Sequence, residues 1–302
     1  MAYKRHEKNG MVYYTSPLFD EYEIPHFFAS RRGGVSAGDF ESLNISYSRK
    51  NSCGFADSPK NICENLRRGL SLIGSSPECC AMMNQIHSAV VETAMGCCGS
   101  DESDTFDGKK EFQACDGLVV HAQRGQNLKD SEIDTLCVKT ADCVPVLIYD
   151  IRNDVACALH AGWRGTVGAI CMNAVRLMKK MHENAELVAA IGPCIGGCCY
   201  EVNDAVYTAA IDAAEKNDIP ASEIEKCFLS RYCASGENKY KASLSSLNRT
   251  FLHCAGIPMK NISDSKLCTC CASDEHGKIF FSHRASGGHS GTQMSVVKLR
   301  NS

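Results

Sequence analysis

The spacing of hydrophobic positions along this chain changes period several times, and each change marks an element. Residues 146–149 form an unbroken apolar run, 150–154 a polar connection, and 155–159 a second apolar run. Two runs of ordinary strand length around a short polar link predict neighbouring strands. Beyond Gly165 the apolar positions take helical spacing as far as Met178, with Thr166 placed as the N-cap. Residues 201–217 predict a surface helix ahead of Pro220, and 244–255 another that ends near Gly256. Residues 116–120, 278–282 and 294–299 read as strands, and the polar opening 24 residues, with Tyr13-Tyr14, as a first hairpin. Residues 96–110, rich in Gly, Ser, Asp and Cys, read as an exposed loop. Strands and helices mixed in this order predict a layered α/β or α+β fold, with mixed sheets covered by helices.

The chemistry gathers where these elements end. Cys143 precedes the first apolar run, and His160 closes the second within His160-Ala161-Gly162-Trp163-Arg164-Gly165. Adjacent strands can therefore set Cys143 beside His160. A helix start next to Arg164 offers free N–H groups and a fork of donors for an anion. Upstream, the polar cluster Met83-Asn84-Gln85-Ile86-His87-Ser88 interrupts an apolar run and supplies His87. Zinc accepts imidazole nitrogen and thiolate sulfur, and catalytic zinc sites keep three protein ligands with the fourth position open. The same trio could instead work without metal, a histidine activating Cys143 as nucleophile, or hold a purely structural zinc. Spacing alone leaves these open beside the plainer reading: Cys143 as a small buried apolar group and the histidines as hydrogen-bonded structural ones.

Composition narrows the setting. With 302 residues, 44% of them hydrophobic, the chain can build a large core, and one domain over residues 1–302 is expected. A net charge of −3 without a long basic run argues against a nucleic-acid groove. No apolar stretch suits a signal peptide or membrane span, so a cytoplasmic protein is expected. In that compartment the 20 cysteines are expected to be reduced thiols rather than a disulfide framework. The adjacent pairs Cys79-Cys80, Cys97-Cys98, Cys198-Cys199 and Cys270-Cys271 are read as small apolar filler, and Cys194 as a pocket residue rather than a ligand.

The wording of three central segments is also distinctive: Thr140-Ala141-Asp142-Cys143-Val144-Pro145-Val146, Leu159-His160-Ala161-Gly162-Trp163-Arg164-Gly165-Thr166, and Ala190-Ile191-Gly192-Pro193-Cys194-Ile195-Gly196. In order and spacing they resemble the YfiH-like family, also called the multicopper polyphenol oxidase or laccase-domain family. Blocks around Ser30-Arg31-Arg32-Gly33-Gly34, Ser42-Leu43-Asn44, Gln85-Ile86-His87-Ser88, Cys268-Thr269 and Phe281-Ser282-His283-Arg284 extend the likeness to about residues 25–299. The resemblance implies a YfiH-like, cysteine-hydrolase-type fold. It places the family's metal trio, which is also its catalytic set, on His87, Cys143 and His160. It puts Arg31, Asn44, Gln85 and Arg164 in substrate-binding positions around them. Two positions depart from the family pattern, Ser243-Leu244 for a usual Asp-Leu and Gly291-Thr292 for a usual Gly-Arg, and these bear on substrate contacts more than on the chemistry.

The activity implied is phosphorolysis of adenosine, inosine, guanosine and methylthioadenosine to free base and ribose 1-phosphate, together with adenosine deamination. Zinc is the implied cofactor, with copper possible; purine nucleosides and phosphate are the implied partners. For phosphate, Arg164 with the adjoining helix start, and Arg31 with the Gly33-Gly34 loop, are the expected clamps. For deamination a metal-activated water would attack purine C6, with Asp142 as a candidate acid or, equally, a turn residue. A cysteine hydrolase or deamidase using Cys143 and His160 is the alternative. Copper-dependent polyphenol oxidation is disfavoured, because copper clusters favour many imidazole ligands and the ten histidines include no His-x-His pair.

Overall fold

The apolar run that begins at Val144 is buried along its whole length because both faces of its strand meet another layer. The structure, a computed structural model, describes residues 2–94, 105–106, 109–121, 133–234 and 237–300. In strand Val144–Asp150 every position is buried. Val146 and Ile148 point toward a layer of helices, while Leu147 and Tyr149 point toward a second sheet. A strand covered on both sides needs apolar residues at consecutive positions, which is why its sequence runs without alternation.

This strand sits inside a six-stranded sheet in the order Ile262–Asp264, Leu187–Ile191, Val144–Asp150, Val155–Ala161, Gly117–His121, Val91–Thr93. The two outermost pairings are parallel and the inner ones antiparallel. The second sheet has eight strands in the order Lys4–Lys8, Met11–Thr15, His26–Ala29, Gln293–Lys298, Thr135–Thr140, Cys80–Asn84, Lys109–Ala114, Thr105–Phe106. Between the sheets, Phe28, Leu136 and Val138 from one side meet Leu147, Tyr149 and Val188 from the other. Helices Ile170–Met181, Asp204–Lys216 and Leu244–Cys254 cover the outer face of the six-stranded sheet. Helix Pro59–Leu70 covers the eight-stranded one, laying Ile62, Leu66 and Leu70 on Phe27, Met82 and Val296. The result is four layers, helix, sheet, sheet and helix, the α+β arrangement expected from mixed sheets under helices. Among the described residues no helix is long and apolar enough to cross a membrane.

Several boundaries differ from the expected ones for local reasons. The hairpin Lys4–Lys8 and Met11–Thr15 turns through Asn9 and Gly10, both with positive φ, the backbone that a two-residue hairpin turn requires. The helix expected from Thr166 is in fact two. A short helix Trp163–Val167 starts after Gly162, and Ala169 at φ +59° breaks the chain before Ile170–Met181. Thr166 lies inside the first piece, where its hydroxyl accepts from Asn248. Residues 201–203 form a strand, so that helix starts only at Asp204. In 278–282 strand structure stops at Lys278. Of 96–110, Thr105–Phe106 and the start of Lys109–Ala114 are strands. The rest of that stretch, with Cys97 and Cys98, lies outside the described residues.

Candidate active site

His160 and Cys143 are brought together by strand register. Val144 pairs with Ala161 and Pro145 with His160, so Cys143, one residue before the strand, falls at the mouth of the same ladder as Gly162. A Cβ on residue 162 would lie 3.1 Å from Cys143 Sγ and 3.2 Å from His87 Cδ2. Glycine there leaves the room in which the sulfur and the second ring sit.

His87 arrives from the other side, on the turn between Cys80–Asn84 and Val91–Thr93, with φ at +62°. That strained turn is held by one carboxylate. Asp116, fully buried, accepts from the backbone N–H groups of Ile86, His87 and Ser88 and from the Ser88 hydroxyl. The same carboxylate takes the Nδ1 hydrogen of His160 at 2.7 Å. An imidazole held through Nδ1 presents Nε2 to the centre, the second-shell arrangement that fixes tautomer and orientation in metal sites. The nitrogens of His87 and His160 and the sulfur of Cys143 lie within 4.8 Å of one another. The two rings meet edge to face at 4.8 Å between centroids.

The electrostatics follow from this crowding. Burial works against the Cys143 thiolate, yet the neighbouring His160 and then His87 outweigh it and hold the thiol down at about 6. Burial likewise opposes charge on His160, but Cys143 and Asp116 raise it to about 9. Burial would raise Asp116, and its bonds to His160 and Ser88 bring it below the ordinary carboxylate range. Between those two values the metal-free centre is a thiolate and imidazolium pair backed by a carboxylate.

The three groups line a cavity of about 200 Å³ whose other walls come from Ser46–Arg49, Asn84, Gln85, Lys139–Ala141 and Thr292. His87 is exposed at its rim, Cys143 half-buried and His160 buried at its floor. The cations on its walls are Arg49, hydrogen-bonded to His283, and Lys139, whose ammonium lies 4.7 Å from the Tyr47 ring centre. Thr140 and Thr292, both buried, are among its lining residues, but their hydroxyl oxygens lie behind the surface and find no partner among the described residues.

The remaining expected site residues are placed unevenly. Gln85 lines the cavity and clamps Lys139 through its backbone N–H and carbonyl. Asn44 is buried beneath it, accepting from the backbone of Ser46 and Thr292, and so shapes two of the walls. Arg31 is turned to the Glu41 carbonyl and stacks on Phe281, outside the cavity lining. Arg164 is exposed with its guanidinium over the ring of Trp163, also outside that lining. The expected anion-binding helix start is the five-residue piece Trp163–Val167, too short to add up a dipole. Gly33 and Gly34 are packed against Met11 and Ser42 rather than forming an open wall. Asp142, at φ +90°, spends both oxygens on the Thr269 hydroxyl and the Arg284 backbone N–H, which is the turn role rather than that of an acid. Asp116 went unmarked by the sequence reading, since a lone Asp-Gly before a strand carries no chemical signature until His160 is seen beside it.

The geometry, two imidazoles and a thiolate around an opening, can be set beside known proteins. Residues 25–300 match the family model described as multi-copper polyphenol oxidoreductase laccase. The chain belongs to this family. The purine nucleoside phosphorylase YlmD of Bacillus subtilis is 27% identical over 92% of this chain and 89% of its own length. An adenosine deaminase, RL5, from an unknown prokaryotic organism is 30% identical over 89% and 96%. The crystal structure of the hypothetical protein YfiH of Bacillus licheniformis superposes with a TM-score of 0.76 at 27% identity, covering 98% of both chains. The fold is therefore YfiH-like, as its sequence blocks led one to expect.

Proposed function

We propose that this family member processes purine nucleosides at a single metal ion, zinc in the first place, held by His87, Cys143 and His160. The observation that carries the reading is the convergence of three donors of zinc-like chemistry at the floor of an open cavity. Zinc bonds of about 2.0–2.3 Å to nitrogen and sulfur would draw such a set together only slightly, and the cavity side is left for a fourth group. Relatives named as purine nucleoside phosphorylase and adenosine deaminase support the substrate class. The reactions proposed are phosphorolysis of adenosine, inosine, guanosine and methylthioadenosine, and deamination of adenosine. One soft ion with two imidazoles and a thiolate suits this chemistry better than the clustered imidazoles of a multicopper oxidase.

When bound, zinc supplies Lewis acidity beside the reacting atoms. The chain's own groups do the rest. Arg49 and Lys139 give an anion such as phosphate two positive walls. Thr140 and Thr292 shape the wall beside the trio, their hydroxyl oxygens buried behind it with no partner among the described residues. Asp116 keeps His160 and His87 in register through every turnover.

A second reading has its own observation. Cys143, His160 and Asp116 stand in the sequence of nucleophile, base and orienting acid, and the thiol is held at about 6. A metal-free cysteine hydrolase would follow. The two separate under treatment: a chelator abolishes turnover in the first reading and leaves it intact in the second. Product analysis of adenosine, inosine and methylthioadenosine with and without phosphate then assigns the reaction, phosphate-dependent ribose 1-phosphate marking phosphorolysis. In metal-free protein, alkylation of Cys143 should rise through about pH 6, where the thiolate forms, rather than near the ordinary thiol value. A rise only near pH 9 would show that His160 does not hold the thiolate.

A further inference from the structure

Strands Leu187–Ile191 and Ile262–Asp264 run parallel, Ile191 beside Asp264, so the loops that follow them leave the sheet at the same end. Each loop carries cysteines. A backbone bridge between Cys194 and Cys268 ties the loops together, with the Thr269 N–H donating to the Cys194 carbonyl at 2.9 Å. Beyond that bridge four sulfurs gather: Cys198 and Cys199 from the first loop, and Cys268 and Cys271 from the second, all within 4.8 Å of one another. The pairs Cys198-Cys199 and Cys270-Cys271 are each expected as filler, but with Cys268 the run Cys268-Thr269-Cys270-Cys271 is itself a Cys-x-x-Cys spacing.

The dimensions are those of a coordination shell. Cys198 Sγ lies 3.7 Å from Cys199 Sγ and 3.6 Å from Cys271 Sγ. Four thiolates at about 2.3 Å from a tetrahedral zinc stand about 3.8 Å apart. Backbone hydrogen bonding reaches the Cys268 sulfur: the Gly196 N–H donates to Cys268 Sγ at 3.2 Å. Glycine at 196 gives the sulfurs room, since a Cβ there would lie 3.2 Å from Cys198 Sγ and 3.1 Å from Cys268 Cβ, a tight fit. The backbone that carries the group is pinned by two cations: Lys278 donates to the Cys270 carbonyl and Arg284 to that of Cys199. Buried or half-buried filler cysteines need none of these donors, and Cys198 and Cys271 are exposed.

We propose that Cys198, Cys199, Cys268 and Cys271 form a closed tetrathiolate site for a structural zinc ion, separate from the open trio. It ties together the two loops that support Asp142. From these loops the Ile195 N–H reaches the Asp142 carbonyl and the Thr269 hydroxyl its carboxylate, one residue from Cys143. This site does not depend on the nucleoside reading and stands or falls without it.

The test is metal content under reducing, oxygen-free purification. Wild-type protein should carry two zinc ions per chain, and Cys143→Ala/His160→Ala, which empties the open site, should keep one. Adding Cys268→Ser/Cys271→Ser should remove it. The milder Cys198→Ser alone should weaken its retention against a chelator and lower the melting temperature. Cobalt loaded into the Cys143→Ala/His160→Ala protein should show the intense sulfur-to-metal charge-transfer absorption of four thiolates. A Cys143→Ala/His160→Ala protein that folds but holds no metal would overturn the proposal. So would intact mass and peptide mapping that find Cys198 and Cys271 joined in a disulfide under these conditions.

Discussion

Asp116 gives both histidines of the centre their positions, one through its side chain and the other through the turn it caps. Asp116→Asn keeps the size but loses the anion that accepts from His160 and three backbone N–H groups. Metal affinity at the trio should fall by about 10–100-fold while the protein still folds; dialysis against a metal buffer measures this, and unchanged affinity would remove Asp116 from the site. Gly162 has the opposite role, making space. Gly162→Ala pushes a methyl to within 3.1 Å of Cys143 Sγ and should cost on the order of a hundredfold in kcat/KM with little change in melting temperature. Thr140 separates stability from function. Its hydroxyl is buried with no partner among the described residues, so Thr140→Val should leave stability unchanged or raise it by about 1 kcal/mol while KM for nucleoside rises. A fall in stability with unchanged KM would mean the hydroxyl serves the fold.

At the scale of elements, periodicity and chemistry were legible to different degrees. The hairpin from Val144 to Ala161 was evident because unbroken apolar runs mark a strand buried on both faces, and its register then follows for Cys143 and His160. The helix Leu244–Cys254 was equally clear, and the Ser243 departure proves conservative: its hydroxyl accepts from the Ser246 N–H and does the capping that an aspartate would do. The break at Ala169 could not be read, since nothing about an alanine announces a positive φ; it answers the packing of Gly165 and Gly168 under the Ser88–Ala89 segment. Arg164, on the short helix before that break, stays outside the cavity wall, in which Arg49 and Lys139 stand. Neither of those belongs to a motif. They reach the cavity through a loop and a strand of the other sheet, a long-range relation that spacing does not encode. The trio itself was legible from family wording and chemistry, while the four-cysteine cluster was not, because its members come from two loops some seventy residues apart that meet only through the parallel strands and the Cys194–Cys268 bridge.

For the whole molecule, the two sheets matter because the centre straddles them. His87 follows a strand of the eight-stranded sheet, whereas Cys143 and His160 belong to the six-stranded one, so the trio reports on the sheet-to-sheet core. Stability of that core carries a pH signature through His26. Burial lowers this residue to about 4, and it is held neutral, accepting from the Ser16 N–H and donating to the Ile24 carbonyl. Unfolded, the ring binds a proton near its ordinary value of about 6.5, so the folded state loses stability as pH falls from there to about 4. The loss should total about 3 kcal/mol and be absent in a folded His26→Gln variant, as chemical denaturation at pH 7 and pH 4.5 would show. Equal pH dependence in both proteins would assign acid lability elsewhere.

The most direct test of the central claim is turnover of inosine with phosphate, followed by chromatography of base and sugar phosphate, on wild-type protein and on Cys143→Ala side by side. Wild-type protein should release hypoxanthine and ribose 1-phosphate in equal amounts, stop on chelation and recover with zinc, while Cys143→Ala stays at background. Unchanged inosine with the zinc-loaded wild type, or full turnover by Cys143→Ala, would contradict the account.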